Sequence, residues 1–250
     1  MFPSMHIFHL VIPMYPLCIA TGFLIGTFIA IKLGKKIAIS ERLVFLLMCW
    51  VEVGVIIGGK IMFLLVNFRN LEKVFKAFGF LGIFTKTGFV FYGGLIGGIV
   101  AVFFVSEIKK KSFEDNLSLV IVVAPLIHSF GRLGCFCSGC CYGKEWHGMI
   151  SVFMHGAERF PVQLMESVAN LILFAILIVV FLRSQNNREK VIPIYLIGYG
   201  GIRIVTESFR GDVSRGYIGF LSVSSWISIF CILAGLFFIL KKHFKRECKK

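Results

Sequence analysis

The sequence has little charge and, over its first 31 residues, none. Charged residues make up 16% of the 250 positions, whereas a soluble domain carries about 25%. Hydrophobic residues make up 57%, and 28 residues are Phe. There is too little charge to cover a surface that faces water, and so apolar a chain is not disordered. The composition predicts a protein that crosses a membrane several times.

The uncharged N-terminal segment is expected to remain in the protein as its first span. A cleaved signal peptide carries basic residues ahead of its apolar core. Here the first basic residue, Lys32, follows the apolar run. We therefore expect the N-terminus to lie on the outer side of the membrane.

Acidic residues are scarce. The chain has 13 Asp and Glu and 27 Lys and Arg, which gives a net charge of +14. The basic residues lie in short clusters between apolar runs, which argues against nucleic acid as a partner. Clusters of this kind set the orientation of a membrane protein, since they stay on the cytoplasmic side. They also attract anionic lipid headgroups.

Apolar runs of about 20 residues, long enough to cross a bilayer, predict the fold class. With the N-terminus outside, most Lys and Arg fall in inner segments and the C-terminus is cytoplasmic. We expect an all-α polytopic membrane protein of seven transmembrane helices, with residues 1–250 as a single integral-membrane domain. The seven runs are residues 12–31, 43–67, 87–106, 116–134, 161–182, 191–208 and 221–240.

Charged residues within the predicted spans mark candidate sites. Each is costly in lipid unless it is paired or faces a polar cavity. A functional site and structural ion pairs inside the bundle are both open interpretations. The residues are Glu52, Lys60, Arg132, Glu166, Arg203 and Glu207.

One predicted helix carries a polar stripe. Arg203, Glu207 and Arg210 are spaced i, i+4, i+7, so a helix places them on one face. Tyr195 and Tyr199 precede them on nearly the same side. Because the planar fork of Arg binds two phosphate oxygens at once, the stripe predicts a cavity for a phosphate or glycerol headgroup.

Two segments are rich in glycine. Within residues 124–143, four glycines predict irregular backbone around Arg132, which membrane depth tolerates only beside a cavity. Residues 92–98 contain two overlapping GxxxG patterns. That pattern is typical of close helix packing.

Four of the eight cysteines cluster in the pattern C-x-C-x-x-C-C. Such a cluster could hold zinc or iron–sulfur, or form disulfides. The second, separated C-x-x-C of zinc ribbons is missing, so a disulfide is favoured over a metal. We expect the cluster to be structural and metal-free. Its members are Cys135, Cys137, Cys140 and Cys141.

Seven pieces of the sequence match one known family in order and spacing. They are Tyr15, GGLIGG at 93–98, AP at 124–125, GRLG at 131–134, FPVQLMES at 160–167, YGGIRIVTESFRGD at 199–212 and LSVSSWIS at 221–228. Through these pieces the chain resembles the phosphatidylglycerol–prolipoprotein diacylglyceryl transferases along nearly its whole length.

The resemblance implies transfer of diacylglycerol from phosphatidylglycerol to the lipobox cysteine thiol of a preprolipoprotein. A thioether forms and glycerol 1-phosphate leaves, in the first step of bacterial lipoprotein maturation. The implied partners are phosphatidylglycerol, lipobox peptides and the bilayer, and the implied location is the bacterial inner membrane. The thiol belongs to the substrate, so no cysteine of this chain needs to attack, and no cofactor is expected.

The resemblance also implies the site residues. Arg132 matches the arginine of the family signature, and Gly143 matches the glycine that closes it. The implied catalytic residues are Arg203, Tyr92, Glu207 and Tyr15. The implied phosphatidylglycerol-binding residues are Arg132, Arg203, Arg210, Tyr199, Gly143 and Cys135, and no metal ligand is expected.

The chain departs from the family pattern at several positions. Tyr92 stands where the family usually has His, a favoured base for the thiol. Since Tyr has a pKa near 10 and a thiol one near 8.5, Tyr92 is a poor base but an adequate hydrogen-bond donor. In the signature, Asn, Asn and Glu are replaced by Cys135, Ser138 and Cys140. Elsewhere Lys60 stands for Arg and Ser225 for Gln.

Three other functions stay open on these residues. One is a diverged paralogue that uses another lipid donor or acceptor, as the departures allow. Another is a redox or metal protein organised by the cysteines. A transporter is the third, but the two halves show no repeat symmetry.

Overall fold

The computed structural model describes residues 3–7, 10–68, 72, 73, 75, 76, 79, 82, 88–184, 188–212 and 216–247. The described residues form seven long helices, which confirms the all-α class and coincides with the predicted apolar runs to within a few residues. A 3-10 turn, Arg188–Lys190, precedes the sixth helix. The helices are α1 (Met14–Lys35), α2 (Glu41–Val66), α3 (Phe91–Lys109), α4 (Phe113–Ser138), α5 (Val162–Arg183), α6 (Val191–Phe209) and α7 (Val223–Glu247).

Six of the seven helices are long and apolar enough to cross a membrane. These are α1 to α5 and, in α7, residues Val223–Lys241. Helix α6 falls short because Arg203, Glu207 and three glycines lower its mean hydropathy. The six helices identify a multi-pass membrane protein.

Among the described residues, three short antiparallel hairpins that were not predicted from the sequence accompany the helices. β1 (Ser4–Ile7) pairs with β2 (Leu10–Pro13). β3 (Val152–Met154) pairs with β4 (Ala157–Arg159), and β5 (Tyr217–Ile218) pairs with β6 (Leu221–Ser222). Between β3 and β4, two residues adopt positive φ angles of 53° and 76°, as a tight hairpin turn requires. They are His155 and Gly156.

The chain divides into two compact units, residues 1–30 with 121–250 and residues 31–120. In the first unit, small residues bring helices together. An added Cβ at Gly22 would lie 2.6 Å from the side chain of Phe130, and one at Gly200 would lie 2.8 Å from the backbone oxygen of Ser228. The single domain expected from the sequence stays a prediction.

Helix α5 shows how polar residues enter the first unit. Its buried face carries Gln163, Glu166 and Asn170, whereas the outward Val168 and Ile172 are 56% and 58% exposed. This polarity is the reverse of a water-soluble helix, whose outward face is polar. An apolar exterior of this kind suits contact with lipid.

The second unit is organised by a glycine seam, which we define as Gly54, Gly58, Gly93 and Gly97. A Cβ added at Gly54 would overlap the carbonyl oxygen of Gly97, and one at Gly58 would overlap that of Gly93. The backbones of α2 and α3 are therefore in direct contact. The packing role predicted for the glycines of residues 92–98 is confirmed.

Candidate active site

Buried charged side chains from three helices, and a serine from a fourth, meet in the first unit. Arg132 and Glu166 come from α4 and α5, and Arg203 and Glu207 come from α6. Ser224, near the start of α7, completes the set through hydrogen bonds to Arg203 and Glu207. We call these five residues the polar cluster. The four charged side chains are between 2% and 12% exposed, so they interact almost entirely with protein.

Glu166 is the centre of the polar cluster. Its Oε1 lies 3.0 Å from Nη2 of Arg132. Nη1 of Arg203 donates to both carboxylate oxygens, at 3.3 and 3.2 Å. Nε2 of His128 lies 3.9 Å from the same carboxylate. One carboxylate thus holds two guanidinium groups close together.

The fork of Arg203 is occupied on its other side as well. Nη2 donates to Oε2 of Glu207 at 2.9 Å and to Oγ of Ser224 at 2.8 Å. The Ser224 hydroxyl in turn donates to the same Glu207 oxygen at 3.0 Å. Both terminal nitrogens of Arg203 therefore bind carboxylates. A lipid phosphate that contacts them must share them with Glu166 or Glu207.

Arg132 offers a donor for an anionic ligand. Its Nε is buried and has no hydrogen-bond partner among the described residues. A buried donor left unpaired is costly, by about 1–3 kcal/mol. A phosphate oxygen would satisfy it once the side chains that cover this atom move aside.

Arg210 reaches the polar cluster from beyond the helix. Helix α6 ends at Phe209, and Arg210 takes an extended conformation with φ −73° and ψ 143°. Its Nη1 is 4.0 Å from Oε2 of Glu207, and its Nε and Nη2 donate to the two carboxylate oxygens of Asp212 at 2.9 and 2.6 Å. Burial lowers the pKa of Arg210, but the hydrogen bonds to Asp212 together with the negative charges of Cys141 and Asp212 outweigh this and raise it. The helical spacing predicted for the stripe therefore describes Arg203 and Glu207 but not Arg210.

Gly143 lies where two chain segments cross. It forms an antiparallel bridge with Arg210, and the backbone N–H of Gly211 donates to the carbonyl of Tyr142 at 3.0 Å. A Cβ at Gly143 would overlap the carbonyl oxygen of Phe160. The visible role of Gly143 is thus to let the segment after α4 approach the segment that carries Arg210.

Three tyrosines were singled out from the sequence in this part of the chain. The ring of Tyr199 stacks on Tyr195 with centroids 5.6 Å apart and lies 5.1 Å from the ring of His128. Tyr199 also interacts electrostatically with Arg203 and Glu166. Tyr15, near the start of α1, is 42% exposed and packs against Gly134 of α4.

Cys135, Cys140 and Cys141 form a second group, which we call the thiol cluster. Their Sγ atoms all lie within 4.8 Å of one another, and all three are free thiols, so the favoured disulfide is not formed in the structure. Hydrogen bonds from Cys135 and Cys140 lower the pKa of Cys141. The neighbouring guanidiniums of Arg132 and Arg210 act in the same direction.

Other sequence-predicted residues lie in the second unit. Tyr92 is the second residue of α3, and its ring lies edge-on to Phe91 with centroids 5.7 Å apart. Nζ of Lys60, in α2, donates to the carbonyl of Gly88 at 3.3 Å. Glu52 also lies on α2.

Glu166 is recognisable in the sequence as a charge inside a span, but it was not predicted to belong to the site. Its partners lie on other helices, and Arg203 is 37 residues away along the chain. Spacing within one helix cannot reveal such a pairing. The available signal was a carboxylate in an apolar run, together with two other spans that each carry an arginine.

Comparison with known proteins shows which family the chain resembles. Residues 4–241 match the family model described as prolipoprotein diacylglyceryl transferase. A Clostridium tetani protein named phosphatidylglycerol–prolipoprotein diacylglyceryl transferase is 31% identical over 243 residues, which cover 93% of this chain and 94% of that protein.

Further relatives carry the same name. One from Streptococcus pneumoniae is 30% identical over 253 residues, covering 95% of this chain and 92% of the relative. One from Finegoldia magna is 27% identical over 248 residues, covering 98% and 96%. The match extends over nearly the whole chain, and the resemblance seen in the sequence is confirmed. The chain belongs to the prolipoprotein diacylglyceryl transferase family.

Proposed function

We propose that the protein transfers the diacylglyceryl group of phosphatidylglycerol to the lipobox cysteine of preprolipoproteins and releases glycerol 1-phosphate. The observation that carries this proposal is the family match over residues 4–241. The buried arginines of the first unit suit the chemistry, since the leaving group is a phosphate ester. Fixed cations that stabilise developing charge often contribute more to catalysis than any other single effect.

In this proposal Arg132 and Arg210 contact the phosphate of the lipid. Arg132 has the unpaired Nε, and Arg210 sits beside Gly143 at the end of the same region. Arg203 also contacts the phosphate, through terminal nitrogens that it shares between the lipid and the carboxylates of Glu166 and Glu207. The two carboxylates fix the orientation of its guanidinium group. Tyr199 and Cys135 are the further lipid contacts that the family pattern implies.

The acceptor side of the reaction needs a group that orients the thiol. The family pattern places a base for the thiol at position 92, and Tyr92, a weak base, would instead orient the thiol by donating a hydrogen bond to it. Tyr15 and Glu207 are the other proposed catalytic residues. The thiol sulfur attacks the glycerol carbon of the lipid, and the bond from that carbon to the phosphate oxygen breaks.

The same proposal includes the placement of the chain in the membrane. We place it in the bacterial inner membrane with seven spans, including α6, and with the N-terminus outside. Support comes from the concentration of Lys and Arg in the inner segments. A further support is that the charged residues of α6 are paired within the protein, which lowers the penalty of placing them in lipid.

Mass spectrometry of a lipobox peptide tests the function. The purified protein is incubated with phosphatidylglycerol vesicles and the peptide, and a gain of one diacylglyceryl group is expected. A peptide with Ser in place of the lipobox Cys is the matched control and should gain nothing. No mass gain with an active family member as positive control would contradict the proposal.

A second candidate function is transfer from another phospholipid or to another thiol acceptor. It is favoured by the replacement of signature residues by Cys135, Ser138 and Cys140. The same assay with phosphatidylethanolamine or cardiolipin vesicles separates the two candidates. Product from these lipids but not from phosphatidylglycerol would favour the second.

A further inference from the structure

The thiol cluster has the dimensions of a metal site. A zinc ion bound tetrahedrally at about 2.3 Å from each sulfur holds two sulfurs about 3.8 Å apart. The three Sγ atoms already lie within 4.8 Å of one another. Side-chain rotations that move each sulfur by less than about 1 Å would therefore bring all three within bonding distance of one ion.

The backbone holds these three thiols in place. Gly139, with φ 73°, ends α4, and the N–H groups of Gly139 and Cys140 donate to the carbonyls of Phe136 and Cys135 at 3.2 and 3.1 Å. These two hydrogen bonds form a Schellman turn, which reverses the chain after α4 and brings Cys140 close to Cys135. The turn is fixed further by Gln163, whose Nε2 donates to the carbonyl of Cys140 at 2.8 Å.

Three thiols leave one position of a tetrahedral ion for a substrate. Zinc sites with four protein ligands are structural, and those with three protein ligands and an open position are catalytic. Cys135 is buried, while Cys140 is exposed, so the cluster is reachable from one side. Cys137 interacts instead with Cys18 of α1, and it is not within the group of three.

The thiol cluster also borders the residues proposed to bind the lipid phosphate. Arg132 lies one helical turn before Cys135 on α4, and Gly143, two residues after Cys141, forms the bridge with Arg210. Tyr15 packs against Gly134, the residue before Cys135. A thiol held at the cluster would therefore lie near the proposed lipid site.

We propose that Cys135, Cys140 and Cys141 bind a zinc ion whose fourth position takes the lipobox thiolate of the acceptor. The identity of that acceptor rests on the proposed function. The metal supplies what position 92 lacks in this chain, because a thiol that coordinates a metal is deprotonated outright. This assigns Cys135 to the metal rather than to the lipid, and it departs from the metal-free cluster expected from spacing alone.

The reaction balances without an oxidant. On binding an ion held by the three cysteines, the acceptor thiol would release its proton to water, and its sulfur would then use an electron pair to bond the glycerol carbon. The bond from that carbon to the phosphate oxygen breaks, and its electrons stay on the oxygen, which takes up a proton as glycerol 1-phosphate leaves. The thioether product is uncharged and a weak ligand, so it leaves the ion for the next thiol.

Two other uses of the three thiols fit the geometry less well. A four-cysteine iron–sulfur cluster has three candidate ligands in this group. A disulfide would need an oxidant and would leave one of the three thiols unpaired. Zinc uses all three and undergoes no redox change.

Elemental analysis of the full-length protein, purified in detergent without chelator, tests the site directly. Wild type and Cys137→Ser should each contain about one zinc per chain. Cys140→Ser should lose at least about nine-tenths of it, since one of three ligands is gone. Little zinc in the wild type, or full zinc in Cys140→Ser, would overturn the site.

X-ray absorption at the zinc edge tests the open position even if a variant fails to fold. The wild type should show three sulfur neighbours, rising to four when a lipobox peptide is added. The peptide with Ser in place of Cys should leave the count at three. An unchanged count with the Cys peptide would overturn the role of the ion in binding the acceptor.

Lipidation assays on the same preparations separate this inference from the proposed function. Equal rates for zinc-free and zinc-loaded wild type would overturn the metal mechanism and leave the transferase function standing. A zinc-loaded protein that binds the peptide sulfur but makes no product from phosphatidylglycerol would support the metal site and count against the proposed lipid donor. We expect zinc removal to lower the rate at least tenfold and zinc addition to restore it.

Discussion

The polar cluster and the glycine seam are two different ways of joining apolar helices. In the polar cluster, Arg132 and Arg203 share the carboxylate of Glu166. In the seam, the helices meet backbone to backbone, and Gly54 and Gly97 leave no room for a side chain. The first uses groups that lipid disfavours most, and the second uses residues with no side chain.

The difference indicates which region carries chemistry. Contact through small residues gives close packing without any polar group to desolvate. Buried ion pairs are a weak source of stability, because the desolvation of both charges can exceed their attraction. A bundle held together by packing alone would not need the polar cluster. We therefore infer that the polar cluster serves substrate binding and the seam serves helix association.

The largest effect is expected from removing the centre of the polar cluster. Glu166→Gln leaves the guanidiniums of Arg132 and Arg203 close together without the charge that holds them. We expect lipidation of a lipobox peptide to fall by about 10²–10³-fold, the range seen when one preorganised electrostatic contact is lost. The measurement is kcat and KM with phosphatidylglycerol vesicles.

Two variants make this result specific. Glu166→Asp keeps the charge and should recover part of the activity, which a purely steric role would not predict. Ser129→Ala removes a neighbouring buried hydrogen bond, 2.8 Å to Ser167, and should lower stability by about 1 kcal/mol while activity stays within a few-fold. Equal loss in Ser129→Ala and Glu166→Gln would argue against a special role for the polar cluster.

The next effect is expected at Arg203. Arg203→Lys keeps the charge but replaces a planar fork that binds two carboxylates by a point charge. Activity should fall about ten- to a hundredfold while the protein still inserts in the membrane. Membrane fractionation with a lipidation assay checks both statements. Normal activity in a well-expressed variant would remove Arg203 from the proposed mechanism.

The sequence predicts the glycine seam better than it predicts the polar cluster. The seam is predictable, because the GxxxG spacing at residues 92–98 puts glycines on one face of a helix, and a face without side chains lets another helix approach closely. The polar cluster is only partly predictable. The pair Arg203 and Glu207 follows from helical spacing, but Glu166 finds its partners through tertiary packing.

In the glycine-rich segment of residues 124–143, the local pattern was also an incomplete guide to the structure. Its glycines predicted irregular backbone, yet α4 is helical through Ser138 with Pro125 inside it, and the chain leaves the helix only at Gly139. Helix packing overrides the local preference of Gly131 and Gly134. The thiol cluster depends on the turn at Gly139, so its spacing pattern alone could not distinguish a metal site from a disulfide.

A smaller effect is expected at Tyr92, the second residue of α3, which directly precedes the seam glycine Gly93. If the residue only orients the thiol, Tyr92→Phe should cost about tenfold, within the range of a lost hydrogen bond or proton transfer. Tyr92→His should keep activity and move the pH optimum down, since imidazole has a pKa near 6.5. The pH–rate profiles of the three proteins decide this. An unchanged rate in Tyr92→Phe across the range would exclude the residue from the mechanism.

The smallest effect separates packing from catalysis with a matched pair of glycines. An added Cβ in Gly97→Ala meets the carbonyl oxygen of Gly54, so α2 and α3 must move apart, and we expect a loss of about 1–3 kcal/mol in the free energy of unfolding. In Gly201→Ala the same Cβ has open space around it within the described part of the chain. Alanine is the better helix former, by up to about 1 kcal/mol, so this variant should gain a little stability. Thermal unfolding in detergent should therefore give shifts of opposite sign, while the turnover of folded Gly97→Ala stays near that of the wild type. A seam variant as stable as the wild type would show that the backbones of α2 and α3 are not held in contact by these glycines.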